Sequence, residues 1–231
     1  MKTLSRRLMV ALPIAAIVTA GVIVAPRVGA ENKPPLTEDQ AAEAGLATAI
    51  FAGGCFWCVE SDFDKVEGVV ETLSGYTGGA LDSPTYQDVT YTETGHFEAV
   101  RVRYDPDIVD YETLVEVFFR TVDPTDDGGQ FCDRGSSYRT AIFVAGAAER
   151  EIAETEKREA AVAISDQIVT PVLDAGTFWP AEDFHQDYYL RNANSYSFYR
   201  WRCGRDATVE SIWGLEPADT IKQINKRLVS G

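Results

Sequence analysis

The sequence predicts an α+β fold, a two-layer sandwich in which helices pack on one sheet. The predicted elements follow the order strand, helix, strand, strand, helix, strand, which is the βαββαβ pattern of a ferredoxin-like core. The chain from Phe178 onward is instead aromatic and without a clear period, so we expect an irregular tail there. With 45% hydrophobic residues among 231, the chain can bury a sizeable core.

The first half of the core begins with a buried strand, ATAIFA, over residues 47–52, which Gly53 and Gly54 end. Between Cys55 and about Val66, apolar residues recur at spacings of three and four, which predicts a helix. The segment GVVETLSGYTGG supplies a second strand and a loop. In HFEAVRVRYDP apolar and charged residues alternate, which predicts a half-buried antiparallel strand.

The second half of the core begins at Asp110, which is placed to cap the helix YETLVEVFFR. A strand in YRTAIFVAG, a long charged helix in AAEREIAETEKREAAVAIS and a further strand in QIVTPVLD follow. We therefore predict a polar linker over 31–46, a catalytic domain over 47–205 and a helical extension over 206–231.

The first 30 residues have the pattern of an export signal. Basic residues open the chain, an uncharged run over 8–26 follows, and small residues stand at Gly29 and Ala30. We predict a signal peptide over 1–30, exported by the general or the twin-arginine route. An uncleaved membrane anchor is the alternative, because the run approaches the ~20 residues that span a bilayer. In both cases we expect the folded part in the periplasm or cell envelope.

The charge of the folded part argues against nucleic-acid binding. Four of the 21 basic residues and none of the 36 acidic ones lie in the first 30 positions, which leaves 17 basic against 36 acidic residues. Such a surface repels phosphate backbones and suits a soluble exported protein.

The stretch FAGGCFWCVE, residues 51–60, carries the chemistry. A zinc site would need further ligands, but the chain has no second CxxC and its two histidines are far apart, so we expect no metal. A redox pair of Cys55 and Cys58 stays open. The interpretation we favour is a nucleophile: Cys55 lies where a strand turns into a helix, and the amides of the first helical turn favour a thiolate there.

The motif GCFWC after a short strand resembles that of the A-type peptide methionine sulfoxide reductases. The resemblance spans roughly residues 47–205. It continues in chain order through SGYTGG at 74–79, PTYQDV at 84–89, TGHFEAVRVRYDP at 94–106, DRGSSYRTAIF at 133–143 and FWPAEDFHQDYY at 178–189.

The resemblance implies a role for each matching residue. Cys55 would attack the sulfur of methionine sulfoxide, and Phe56 and Trp57 would hold the S-methyl group. Glu98 would protonate the sulfoxide oxygen, which is a poor leaving group until it is protonated, and burial would help its carboxyl keep the proton.

Three further residues would surround the oxygen. Tyr86 and Tyr138 would donate hydrogen bonds to it and stabilise its changing charge, and Asp133 would order the network around it.

Attack would leave a sulfenic acid on Cys55, which a second thiol converts to a disulfide. The resemblance favours Cys203 as this resolving cysteine. Cys132 is a bystander or an alternative partner for Cys203. We expect Cys58 to be a buried small residue, too close along the helix to pair easily with Cys55.

The implied activity is reduction of methionine (S)-sulfoxide, free and in proteins, as a repair of oxidised proteins. It would need no metal or organic cofactor, only a thioredoxin-like dithiol from the envelope, and we expect a monomer. Two alternatives remain: a thiol-disulfide oxidoreductase that uses Cys55 and Cys58, and an exported binding domain with structural disulfides.

Overall fold

A computed structural model describes residues 34–230. The predicted signal peptide or anchor and the start of the predicted linker lie outside these residues. Within 34–230, no helix combines the length and the apolar character that crossing a membrane requires.

The described part of the chain contains nine α-helices, eight strands and one short 3₁₀ helix, Ser136–Tyr138. The helices are α1 (Glu38–Glu43), α2 (Phe56–Phe63), α3 (Tyr86–Tyr91), α4 (Tyr111–Phe119), α5 (Ala147–Ile164), α6 (Tyr188–Arg191), α7 (Ala193–Cys203), α8 (Arg205–Trp213) and α9 (Pro217–Ser230). The strands are β1 (Ala47–Gly53), β2 (Val69–Thr77), β3 (Phe97–Tyr104), β4 (Gly129–Gln130), β5 (Asp133–Arg134), β6 (Thr140–Val144), β7 (Val172–Asp174) and β8 (Trp179–Pro180).

The main sheet confirms the predicted fold class. Its six strands lie in the order β7-β6-β1-β3-β2-β8, and the inner four reproduce the strand order of a βαββαβ core. All neighbouring pairs are antiparallel except β6 and β7. Strands β4 and β5 form a separate two-stranded ribbon between α4 and β6.

The hydrophobic core lies between one face of this sheet and the helices packed on it. Because side chains alternate along a strand, Phe51 of β1 enters the core while Ala52 faces the other side of the sheet. The Phe51 ring stacks on Phe63 of α2, at 4.9 Å between centroids, and on Phe118 of α4, at 5.3 Å. These ring contacts fix the first strand against both helices and so position the turn that follows β1.

The predicted linker contains a helix that is anchored to the sheet. A capping box between Thr37 and Gln40 starts α1. The buried Arg103 guanidinium then holds this helix by donating to the Thr37 carbonyl at 2.8 Å and to Glu38 at 2.7 Å. The helix was missed because its cap is local but its stabilising partner lies more than 60 residues away.

The expectation of an irregular aromatic tail is wrong over residues 188–203, where the chain is helical. After β8 has paired with β2, the chain forms α6 and α7, and α8 and α9 then occupy the region where a helical extension was predicted. The helical period of α7 is hidden because Phe198 and Trp201 are exposed while the charged Arg200 is largely buried. Tertiary contacts, not an apolar stripe, hold this helix in place.

Replacing Phe51 by Ala should lower the free energy of unfolding by about 3–5 kcal/mol, because it leaves a cavity among stacked rings. Urea unfolding measures this change. The exposed Val229 on α9 provides the control, and Val229→Ala should stay within about 0.5 kcal/mol of the unmodified protein. A similar small loss for Phe51→Ala would contradict the role given to this ring.

Candidate active site

The turn between β1 and α2 sets the position of Cys55. Strand β1 ends at Gly53, and Gly54 has a φ of +80°, a conformation that favours glycine. A Cβ at Gly54 would lie 2.5 Å from the Gln130 Cβ, so a side chain there would force the turn apart. Cys55 follows as the N-cap residue of α2 and is only 6% exposed.

The Glu98 carboxyl faces the start of α2. This residue of β3 is 2% exposed, and its Oε2 accepts a hydrogen bond of 3.0 Å from the Phe56 amide. Burial raises the pKa of Glu98 to about 8, although the Phe56 amide works in the opposite direction. Near neutral pH this side chain is therefore mostly a carboxylic acid that can donate a proton.

The thiols of Cys55 and Cys58 share a hydrogen bond. Cys55 is the N-cap and lies outside the helix, so its side chain can reach residue N3, which is Cys58. Both cysteines are free thiols, and no disulfide joins them. Cys58 is buried as expected, at 2% exposed, but it contacts the predicted nucleophile.

The surroundings of Cys55 work against the expected thiolate. Burial raises the pKa of Cys55 well above its ordinary value, and the hydrogen bond to Cys58 adds to this effect. The same hydrogen bond lowers the pKa of Cys58 to about 7. The helix amide nearest to Cys55, that of Phe56, already donates to Glu98. The directions of the two shifts therefore favour a neutral Cys55 and a charge on Cys58 in the substrate-free protein.

Two arginines supply positive charge beside Cys58. Both Arg200 and Arg205 lower its pKa electrostatically. Arg200 donates to Asp62 at 3.2 Å and to Asp206 at 2.6 Å. Arg205 is 1% exposed and donates to the carbonyls of Gly53 and Thr121, at 3.1 and 2.9 Å. These bonds tie α7 and α8 to the turn that carries the cysteines.

Aromatic rings form the walls beside the thiol pair. Trp57 is half-buried and stacks on Tyr188 with 3.7 Å between ring centroids. Its indole N–H donates to Nδ1 of His185 at 3.1 Å. His185 also contacts the Phe56 ring, at 4.9 Å, and burial lowers its pKa, so the imidazole stays neutral. The arrangement offers an apolar surface for a methyl group next to sulfur.

Two tyrosine hydroxyls adjoin Glu98. Burial and then the charge of Glu98 raise the pKa values of both Tyr86 and Tyr138. The Tyr138 hydroxyl donates to Tyr86, so the two groups and the carboxyl form one cluster. Such hydroxyls stay protonated and can stabilise charge that develops on an oxygen atom.

Asp133 connects this cluster to the tail. It lies in β5 and accepts a hydrogen bond from the Tyr199 hydroxyl of α7. Burial raises its pKa, while Tyr199 and Arg205 oppose that shift. Its charge in turn raises the pKa of both Glu98 and Cys55, which places Asp133 within electrostatic reach of the thiol and the acid.

The residues predicted from the sequence thus come together, except that Cys203 forms a disulfide with Cys132 and not with Cys55.

Glu182 is a residue of the site that the sequence reasoning missed. It accepts from the Tyr86 amide and the Tyr76 hydroxyl, both at 2.9 Å, and so fixes one side of the cluster. It lies in the FWPAEDFHQDYY motif, which was its only signal in the sequence.

A family model described as peptide methionine sulfoxide reductase matches residues 47–216. The chain belongs to this family. It is 57% identical over 166 residues to peptide methionine sulfoxide reductase MsrA 2 of Rhizobium meliloti, which covers 72% of this chain and 83% of that protein. The MsrA of Bacillus licheniformis is 46% identical over 168 residues, covering 72% of this chain and 93% of the relative.

Solved structures agree with this assignment. Methionine sulfoxide reductase A of Corynebacterium diphtheriae has a TM-score of 0.60 and 35% identity, covering 66% of this chain and 78% of that one. The reduced form of Mxr1 from Saccharomyces cerevisiae has a TM-score of 0.62 and 29% identity, covering 64% and 86%. The resemblance inferred from the sequence is confirmed, and the chain is a thiol-dependent peptide-methionine (S)-S-oxide reductase.

In this methionine sulfoxide reductase, with the tail disulfide intact, one thiolate should appear with an apparent pKa of about 7. The ultraviolet absorbance of thiolate across a pH titration measures it. In Cys58→Ser this low step should disappear, because the remaining Cys55 titrates well above its ordinary value. If the step near 7 persisted in Cys58→Ser and vanished in Cys55→Ser, the charge would instead reside on Cys55.

Proposed function

We propose that Cys55 is the nucleophile and Glu98 the acid of this reductase. The observation that carries the proposal is the mostly neutral Glu98 carboxyl, held by the Phe56 amide directly after Cys55. A sulfoxide whose methyl group rests on Phe56 and Trp57 would direct its sulfur to Cys55 and its oxygen to Glu98. Tyr86 and Tyr138 would then donate hydrogen bonds to the same oxygen.

The reaction needs a deprotonated nucleophile and a protonated oxygen at once. The hydrogen bond between the thiols lets Cys58 accept the Cys55 proton as the Cys55 sulfur attacks. Glu98 transfers its proton to the oxygen, which ends on Cys55 as a sulfenic acid while methionine leaves. Near neutral pH both groups are in the required state, because one pKa is about 7 and the other about 8.

We infer that the oxidised enzyme is returned to its reduced state through Cys132 and Cys203, whose disulfide the external dithiol reduces. Cys132 is exposed, whereas Cys55 and Cys58 are buried, so the tail disulfide is the one that a protein dithiol can approach. A thioredoxin-like reductant would reduce it by thiol–disulfide exchange. No metal or organic cofactor takes part in this chemistry.

Export is part of the proposal. The basic start, the uncharged run over 8–26 and the small residues before 31 support a signal peptide or an anchor, and the acidic folded part is compatible with either. The reductant would then be an envelope protein, because cytoplasmic thioredoxin cannot reach an exported site. Residues 1–30 fused to a reporter should carry it out of the cytoplasm, and cytoplasmic retention would contradict this.

Single-turnover reduction of a methionine-sulfoxide peptide tests the nucleophile. The fully reduced protein should release methionine without added reductant, and Cys55→Ser should release none. Glu210, an exposed residue of α8, offers a control remote from the thiols, and Glu210→Gln should match the unmodified protein. Failure of the unmodified protein to form methionine would reject the reductase function.

The pH dependence of this single turnover should be bell-shaped. The rate should rise to about pH 7 as the thiol pair loses its first proton, and fall about tenfold per unit above about pH 8 as Glu98 loses the proton it must donate.

Glu98→Gln should be slower by about 100-fold or more and should lose the alkaline limb. Glu210→Gln should keep both limbs. An alkaline limb that survives in Glu98→Gln would assign the acid to another group.

A further inference from the structure

We propose that the reduced tail is a regulatory zinc site, in which Cys132, Cys203 and Asp133 bind Zn²⁺ and keep both thiolates from turnover. The inference rests on the proposed function, because the external dithiol must first open the Cys132–Cys203 disulfide. It goes beyond that function by giving the tail a state in which a metal ion occupies it. Zinc acts here as an inhibitor and takes no part in the reduction of substrate.

The ligand atoms of this site already lie close together. Among residues 34–230, Cys132, Asp133 and Cys203 form the one group of three potential metal ligands whose atoms all lie within 4.8 Å of one another. Oδ1 of Asp133 is 3.8 Å from Sγ of Cys132. Neighbouring sulfur and oxygen ligands of a tetrahedral zinc ion are about 3.5–3.8 Å apart. Opening the disulfide lets the two sulfur atoms separate to this spacing.

The backbone holds the three ligands in place from two sides. Gln130 pairs with Asp133, so Cys132 lies in the two-residue turn between β4 and β5, and Asp133 follows it directly. Cys203 is the last residue of α7, and its Cα lies 4.9 Å from that of Cys132. The C-terminal end of a helix carries partial negative charge, which favours a cation beside Cys203. Little of the site therefore has to be ordered when the ion binds.

The groups around the ligands also suit a bound cation. The Tyr199 hydroxyl donates to Oδ2 of Asp133, which fixes the carboxylate and leaves Oδ1 on the side of Cys132. Carboxylates that bind metals are held by hydrogen bonds of this kind. Two thiolates and one carboxylate exceed the charge of Zn²⁺ by one, and the charge of Arg205, which acts on Asp133, offsets this excess. Cys132 is exposed, so an ion can reach the site from solvent.

The ligand set selects zinc among the common metal ions. Mg²⁺ and Ca²⁺ take oxygen ligands and bind thiolates poorly. Cu(I) prefers soft ligands throughout, whereas a carboxylate beside two thiolates suits the borderline Zn²⁺. Three protein ligands leave a fourth tetrahedral position for water.

Binding changes no oxidation state. Two Zn–S bonds and one Zn–O bond form, and the two thiol protons pass to solvent. While zinc holds both thiolates, they cannot join in a disulfide, so the tail cannot take up the oxidation of the rest of the enzyme. The disulfide form offers no thiolate, so only the reduced tail binds zinc.

The first test measures metal binding by a protein that keeps only the tail thiols, Cys55→Ser/Cys58→Ser. After reduction and removal of the reductant without oxygen, it should take up one Zn²⁺ in competition with a chromophoric chelator. Co²⁺ in place of zinc should give the intense visible absorption of a tetrahedral thiolate site. The matched control, Cys132→Ser/Cys203→Ser, should bind zinc about 100-fold more weakly or less, since losing even an outer partner of a metal site costs about 10- to 100-fold.

The second test separates a three-ligand site from a bare dithiol. In the protein that keeps only the tail thiols, Asp133→Ala and Tyr199→Phe should each weaken zinc binding by about tenfold or more, although both thiols remain. Glu210→Gln, on the exposed side of α8, should leave the affinity unchanged. Formation of the Cys132–Cys203 disulfide on mild oxidation shows that these variants are folded.

The third test follows the consequence for the enzyme. Fully reduced unmodified protein reacts with one equivalent of a methionine-sulfoxide peptide, with and without Zn²⁺, and is then quenched, freed of zinc and mapped by mass spectrometry. Methionine should form in both samples. The Cys132–Cys203 disulfide should form without zinc, whereas with zinc both cysteines should be recovered as thiols.

Three results would overturn the proposal. One is equal zinc affinity of the tail-only protein and its Cys132→Ser/Cys203→Ser control. Another is tight zinc uptake by unmodified protein whose tail is oxidised, which would assign the ion to Cys55 and Cys58. The third is a Cys132–Cys203 disulfide that forms equally with zinc present. Absence of methionine without zinc would instead reject the reductase function, and the binding tests would still decide on the zinc site.

Discussion

The hydrogen bond from the Phe56 amide to the Glu98 carboxyl is the interaction on which the site depends. It joins the first turn of α2 to the middle strand of the sheet across a sequence distance of 42 residues. In a buried environment this carboxyl keeps its proton, which provides an acid near neutral pH. Burial also raises the pKa of Cys55. The protonated acid and the neutral nucleophile therefore have a common structural origin in the exclusion of water from this turn.

Buried charge holds the C-terminal helices against this turn. Burial alone would raise the pKa of Asp62, but Arg200, Lys65 and Arg205 together hold it below its ordinary value. Breaking a buried ion pair leaves an uncompensated charge, and here Arg200 donates to Asp62 while Arg205 donates to two backbone carbonyls. Within the described part of the chain, Asp62 Oδ1 and Arg205 Nε have no hydrogen-bond partner. The network positions the C-terminal helices: it holds α7 over the thiol pair and places positive charge beside Cys58.

The four cysteines divide into an inner and an outer pair. The inner pair lies in a buried site from which water is excluded, and this burial keeps Glu98 protonated. The same burial keeps large reductants away from Cys55 and Cys58. The outer pair includes an exposed cysteine that a partner protein can reach. Separating the reduction of substrate from the exchange with a partner lets each occur in the environment it requires.

The sequence by itself determined the βαββαβ core, the start of α2 at the GCFWC motif and the residues that surround Cys55. Strand and helix periods are local signals, and the motifs that gather at the site occur in chain order. Only the tertiary structure decided which thiol its surroundings favour as the charged one, that Cys58 contacts Cys55, that Cys132 pairs with Cys203, and that residues 188–203 are helical. These features depend on groups that are distant along the chain and meet only when it folds. Arg205 meets Asp62 and helps to lower the pKa of Cys58, and Glu98 meets the start of α2.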